Sequence, residues 1–307
     1  MENKLHISVS PHIHGKRTTM GIMLDVIIAL LPATIAGVVI FGLRSLLVIG
    51  VCVAASVLSE LLFNIITKRQ QTISDLSCVV TGLILALNLP ANVPLWQAII
   101  GSVFAIIVVK CLFGGLGKNI VNPALTARVF MLVAFSTLAQ PAFPVDATAG
   151  ATPLVSIAEG NVPELMDLFL GKTGGAIGET CSLALLIGGI YLLIRKVITW
   201  QIPVAFIGTV FLFSFFVQDF NVTTALASIL SGGLFLGAFF MATDYVTSPE
   251  TPWGKIIYGV IAGVITALIR FWGVYPEGVS FAILLVNILN PYINSLTARK
   301  LFGGEKK

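Results

Sequence analysis

The sequence predicts an all-α integral membrane protein of about ten transmembrane helices, in two inverted five-helix repeats with some helices short or broken. Three observations predict it. Of the 307 residues, 57% are apolar and only 10% charged, where a soluble domain carries roughly 25% charged residues. Apolar runs close to the ~20 residues that a bilayer crossing requires recur along the whole chain. Lys and Arg concentrate in alternate connections between those runs, as they do when one side of a membrane is cytoplasmic.

The runs are approximately 20–42, 46–66, 74–89, 94–113, 121–139, 179–194, 199–217, 222–241, 255–272 and 279–297. The third and fifth, SDLSCVVTGLILALNLP and NPALTARVFMLVAF, are short and polar for membrane segments. They predict broken or re-entrant helices that line a cavity. With the N-terminus inside and every run crossing, Lys4, Lys16, Arg17, Lys68, Arg69, Lys118, Arg195, Lys196, Lys255, Arg299, Lys300, Lys306 and Lys307 fall inside, and Arg44, Lys172 and Arg270 outside. Lys110 and Arg128 remain at or within runs. Both termini are therefore expected to be cytoplasmic. The opening stretch reads as a cytoplasmic lead-in and not a cleavable leader.

The resulting organisation is an N-terminal arm (1–19), a first five-helix repeat (20–139), an external loop (140–178), a second repeat (179–297) and a cytoplasmic tail (298–307). LPANVPLW, KCLFGG and NPAL in the first half are echoed by SPETPW, IRFWG and NPYI in the second. An odd number of crossings per half forces opposite topology on the two halves, the inverted-repeat arrangement of many transport folds.

Several function classes are excluded or left without support. No basic face with aromatic platforms suggests nucleic acid. Cys52, Cys78, Cys111 and Cys181 lie in apolar runs without a CxxC pair and read as small hydrophobes. His12 and His14, with His6 in the arm, are weak metal candidates, and no metal site is expected. There is no Walker loop, GxSxG elbow, HExxH pair or Rossmann fingerprint, so any redox or group-transfer chemistry falls to a cofactor.

The candidate residues lie in three groups. In FGGLGKNIVNPALTAR, Asn122 and Pro123 form a cap-and-N1 helix start after a Gly-rich turn, with Asn119 beside them. A helix start of this kind either binds a ligand or simply follows a tight turn. Arg128 follows about one turn into the span, where a charge costs roughly 2.5–3.5 kcal/mol on insertion scales and needs a partner or a cavity. Asp25, Glu60 and Asp244 are acids in or near crossings and are candidates for an ion pathway; end-capping is the plainer alternative for Glu60 and Asp244. The third group is DATAGATPL at Asp146–Leu154, small, flexible and predicted external. Thr152 stands there between Ala151 and Pro153. A threonine hydroxyl is a poor nucleophile unless activated, so the stretch is either a loop or a substrate for a modifying enzyme.

DATAGAT, with SPHIHGKRTTMGIMLDVIIALLPA, FGGLGKNIVNPALTARVF and FMATDYVTSP, resembles the D subunits of Rnf complexes, the ion-pumping ferredoxin:NAD⁺ oxidoreductases. These are related to the B subunit of the sodium-pumping NADH:quinone reductase. The resemblance spans about residues 8–297. It implies FMN joined by a phosphoester to Thr152, with Asp146, Gly150 and Ala151 read by a flavin transferase; Ala149 stands where the family often has Ser or Thr. It implies a second, non-covalent flavin, riboflavin in the first instance, at Asn119 and Asn122, with Pro123 and Arg128 beside them, and a cation-uptake role for Glu60. The expected protein is thus a subunit, not catalytic alone, of a prokaryotic membrane translocase, with the other Rnf subunits as partners. The competing expectation is a secondary transporter or channel for a small polar solute.

Overall fold

The structure, a computed structural model, describes residues 18–135, 153–158, 160–218, 220–273 and 278–298. The N-terminal arm and the DATAGAT motif, Asp146, Gly150, Ala151 and Thr152 included, lie outside these residues. So do the C-terminal residues 299–307.

The described chain is helical. Its first half holds α1 (Thr19–Phe41), α2 (Leu43–Ile66), α3 (Ser77–Leu87), α4 (Leu95–Val103) and α5 (Pro123–Ala134). In the connection that follows lie α6 (Pro153–Ala158) and α7 (Leu165–Leu170). The second half holds α8 (Ser182–Ile194), α9 (Gln201–Val217), α10 (Val222–Leu230), α11 (Leu234–Leu236), α12 (Pro252–Trp272) and α13 (Val279–Thr297). Two helices loosen into π geometry at their C-terminal ends, α4 over Phe104–Cys111 and α11 over Gly237–Met241.

Helices α1, α2, α12 and α13 are long and apolar enough to cross a membrane. The outward faces agree with lipid as the solvent. On α1, Met20, Leu24, Ile28, Leu31, Ile35 and Val39 are all exposed at three- and four-residue spacing, while Met23, Leu30, Ala33 and Gly37 face inward. An apolar stripe this long on the outside of a helix is stable only against lipid or another protein surface. The core is built where α1 packs on α8, α2 on α3 and α4, α9 on α10 and α12, and α12 on α13.

The third run is short, as expected: a 3₁₀ turn at Ile73–Asp75, a left-handed Leu76 (φ 61°), then α3. The run at 222–241, expected to cross intact, does not. Helices α10 and α11 meet at a 62° bend. Gly232 and Gly233 both take φ 68° there, a left-handed conformation that glycine reaches without steric cost and that stops an α-helix. Apolar content concealed this break in the sequence.

Both interruptions are tied into the fold by hydrogen bonds, as burial of backbone groups away from water requires. Ile177 N–H donates to the carbonyl of Leu89 (3.0 Å) and Gly178 N–H to that of Leu87 (2.8 Å), at the end of α3. Arg270, from α12, donates to the carbonyls of Ser228 (2.7 Å), Ser231 (3.0 Å) and Gly232 (3.1 Å) at the end of α10. The short α6 docks on the same bend: Leu154 lies against Gly232, and Ile157 packs with Leu168 and Ala227.

The crossing of α1 with α8 permits no side chain at Gly188, where a Cβ would sit 2.0 Å from the Ala29 carbonyl oxygen and 3.0 Å from the Phe240 ring. Gly188→Leu is therefore expected to destabilise the bundle by about 1–3 kcal/mol or more, read as a lower thermal midpoint of the detergent-solubilised protein.

Candidate functional site

Helix α5 begins as its sequence dictates. Asn122 is extended (φ −65°, ψ 121°), and its Oδ1 accepts from the N–H groups of Ala124 (3.0 Å) and Leu125 (3.4 Å), with Pro123 at the first helical position. Its Nδ2 donates to the Met241 carbonyl (3.4 Å) at the end of the second π stretch. One asparagine thus both caps α5 and joins it to the bent span. Before it runs a turn in which Gly114, Gly115 and Gly117 all have positive φ. Asn119 Nδ2 donates to the Val121 carbonyl (3.1 Å), and among the described residues its Oδ1 takes no hydrogen bond.

These residues form one wall of a cleft of about 810 Å³, open mouth included, at the end of the bundle where α1 starts. Asn119, Asn122 and Pro123 line it, and so do Asp244, Thr243, Tyr245, Phe239 and Phe240 from the bent span and its exit turn. Ser77, Thr81 and Lys110 close another side, and Met23, Val26 and Ile198 belong to its apolar wall. Both π stretches therefore face the cleft, one through Lys110 and the other through Phe239 and Phe240. Such loosened turns re-aim side chains and occur often at functional sites.

Behind Lys110 lies a buried polar network. Lys110 and Glu60 are 2% and 1% exposed. Lys110 Nζ donates to Glu60 Oε2 at 2.7 Å and to Ser77 Oγ at 2.6 Å. Ser77 in turn donates to Asp75 Oδ1, and Thr72 donates to Glu60 Oε1. Glu60 is thus a buried ion-pair member and not an end cap exposed to water. Lys110 is the cleft-wall residue that sequence reasoning does not single out. Its signal is present, a lysine within an apolar run, but its partner lies fifty positions away on another helix.

The other acids behave differently. Asp244 lies in the turn after the bent span. Its carboxylate accepts from the Val246 N–H (3.3 Å) and the Thr247 hydroxyl (3.3 Å). Desolvation beneath the surrounding atoms raises it above its ordinary carboxyl value, and the two hydrogen bonds offset this only in part. Asp25 is not in the cleft wall; it pairs with Arg195 at the rim of the bundle, with Arg195 Nε at 3.2 Å and the Tyr191 hydroxyl at 3.0 Å from its Oδ1. Arg128 is buried at 3% exposure on α5 but does not line the cleft.

The chain around this cleft matches a known lineage from end to end. Residues 6–303 match the NQR2, RnfD, RnfE family. The chain belongs to that family. Its similarity extends over whole proteins. It is 45% identical to the D subunit of the Na⁺-translocating ferredoxin:NAD⁺ oxidoreductase complex of Acetobacterium woodii, covering 99% of this chain and 97% of that one. It is 40% identical to the D subunit of the proton-translocating ferredoxin:NAD⁺ oxidoreductase complex of Clostridium ljungdahlii, over 98% and 97%. It is 34% identical to the D subunit of an ion-translocating oxidoreductase complex of Escherichia coli, over 98% and 99%.

Two measurements test the electrostatics. Lys110→Met leaves Glu60 buried without its ammonium and is expected to cost about 3–5 kcal/mol; the double variant Glu60→Gln/Lys110→Met should lose far less, by thermal unfolding in detergent. Asp244→Asn removes a carboxyl whose folded value is raised, so its stability gain over wild type should be absent in acid and appear as pH climbs above 3.8.

Proposed function

We propose that this chain is the membrane flavoprotein subunit of an ion-pumping ferredoxin:NAD⁺ oxidoreductase, with FMN esterified to Thr152 and a second, non-covalent flavin in the cleft. The observation that carries the reading is the cleft itself, formed around Asn119 and Asn122 in a member of this family. Its donor set fits a flavin ring. Phe239, Phe240 and Tyr245 offer aromatic surface for a planar apolar body, and Asn119 Oδ1 and Lys110 offer an acceptor and a donor for a polar edge. Asn122 contributes chiefly by holding the wall together. A flavin bound there supplies one- and two-electron transfer.

Chain geometry supports two sites at different levels. The cleft touches α1 at Met23, while the connection carrying α6 reaches α1 at Gly37, against Ile177. Fourteen residues of helix separate the two levels by about 21 Å. Pro153, the residue after Thr152, opens α6, which docks on the Gly232 bend. A docked helix next to the attachment residue supports a role in restraining a tethered group, and the cleft supports a stepping stone at the other end of the bundle. With both termini cytoplasmic, the cleft would face the cytoplasm and the tether the outside. Within this arrangement the chain's residues bind and orient; Thr152 is an attachment point and not a catalytic nucleophile.

The equivalent packing of the halves supports the inverted repeat. Helices α2 and α4 in one half correspond to α9 and α12 in the other, and α4 with α5 to α12 with α13. The paired first helices α1 and α8 and the paired last helices α5 and α13 touch each other across the halves. The relatives named for Na⁺ and for protons are nearly equally similar to this chain, so the ion is assigned only as a monovalent cation. Assembly with the other subunits of such a complex, and maturation by a flavin transferase, follow from the same reading.

Co-expression with a flavin transferase, followed by denaturing-gel fluorescence and intact mass, tests the tether. Wild type should carry a fluorescent band and a mass gain of FMN less water, and Thr152→Ala should lose both. A dark wild-type band beside a labelled control substrate rules the tether out. Independently, Asn119→Ala should weaken riboflavin binding by about tenfold, the worth of one hydrogen bond of roughly 1.4 kcal/mol, measured by fluorescence quenching.

A further inference from the structure

Lys110 belongs at once to the cleft wall and to the buried pair with Glu60. An ammonium has three donors. Two are used, on Glu60 Oε2 and Ser77 Oγ, and among the described residues the third has no acceptor. Glu60 has no other described cation in contact, and at 1% exposure it has no bulk water to fall back on. The titratable groups facing it are Lys110 and Cys111 on the π stretch of α4 and Cys78 on α3, with Asp75 of the 3₁₀ turn beside Cys78 and Arg69, beyond α2, beside Cys111. Arg69 is held elsewhere, donating to the Cys111 carbonyl (3.2 Å).

One ammonium therefore serves two sites. We propose that Lys110 couples the cleft to Glu60: a net negative charge left on the cleft ligand draws the ammonium away from Glu60, and the stranded carboxylate takes up one monovalent cation in its place. The proposal rests on the flavin reading of the cleft. Its balance is simple. One electron comes from the reduced iron–sulfur protein donor and leaves one net negative charge in the cleft, Lys110 keeps its proton and follows that charge, and one H⁺ or Na⁺ neutralises Glu60. When the electron leaves, Lys110 returns and displaces the cation. The driving force is the cost of an unpaired buried carboxylate, which is avoided only by a counter-cation or by protonation. Because the linkage is thermodynamic, a cation at Glu60 must in turn favour the reduced ligand.

The test uses the full chain in detergent, loaded with riboflavin and photoreduced anaerobically with EDTA in a sodium-free buffer. A hydrophobic carbodiimide, which modifies protonated buried carboxyls, reads the state of Glu60 by peptide mass spectrometry. Wild type should be unlabelled at Glu60 when oxidised and labelled when reduced. Lys110→Met should be labelled in both states, and Lys110→Arg should keep the redox dependence. NaCl in place of choline chloride at equal ionic strength identifies the cation: protection of Glu60 in the reduced state assigns Na⁺, and unchanged labelling assigns H⁺. Equal labelling of wild type in the two redox states, with riboflavin retained on ultrafiltration, overturns the coupling and leaves the flavin cleft standing. Failure of wild type to retain riboflavin overturns the cleft reading and the coupling with it.

Discussion

Inside a bilayer no water is available to satisfy a broken helix, so each interruption must carry its own hydrogen-bond partners. Much of this structure answers that constraint. Arg270 holds three carbonyls at the end of α10. The Ile177–Gly178 backbone holds the end of α3. Asn122 caps α5 and reaches the end of the bent span. Each of these contacts joins one interrupted helix to a distant part of the chain. Among these three contacts the one from Asn122 joins the two halves, and it lies where side chains turn inward to make the cleft.

The same constraint explains the placement of charge. Glu60 and Lys110 are tolerated in the interior because each supplies the other's counter-charge, Ser77 accepts a second hydrogen bond from Lys110 and Thr72 donates one to Glu60. A pair of this kind contributes little net stability compared with apolar packing of the same volume. Its location, with Lys110 in the cleft wall and Glu60 behind it, is thus not explained by stability. Asp25 with Arg195 is the contrast: at the rim, with Arg195 56% exposed, the pair is hydrated and worth little.

The π stretches connect local geometry to function. The π stretch Phe104–Cys111 carries Lys110 where it meets both Glu60, on α2, and Ser77, on α3. The corresponding stretch at Gly237–Met241 puts Phe239 and Phe240 on the opposite side of the same space. Neither feature follows from hydrophobic periodicity, because apart from Lys110 both segments are apolar.

By itself the sequence determined the helical membrane class, most of the helix positions, the short third and fifth runs, and the cap at Asn122–Pro123. These depend on local quantities: apolar length, helix-start chemistry and the cost of charge in hydrocarbon. Motif order also sufficed to identify the lineage. Only the tertiary structure decided that 222–241 is bent, that Glu60 is paired with Lys110, that Arg128 stays outside the cleft wall while Asp244 enters it, and that the residues after Thr152 dock on the Gly232 bend. The physical reason is that each of these depends on a partner far away in sequence. A Gly-Gly pair permits a bend but does not require one, and a buried charge demands a partner without naming it.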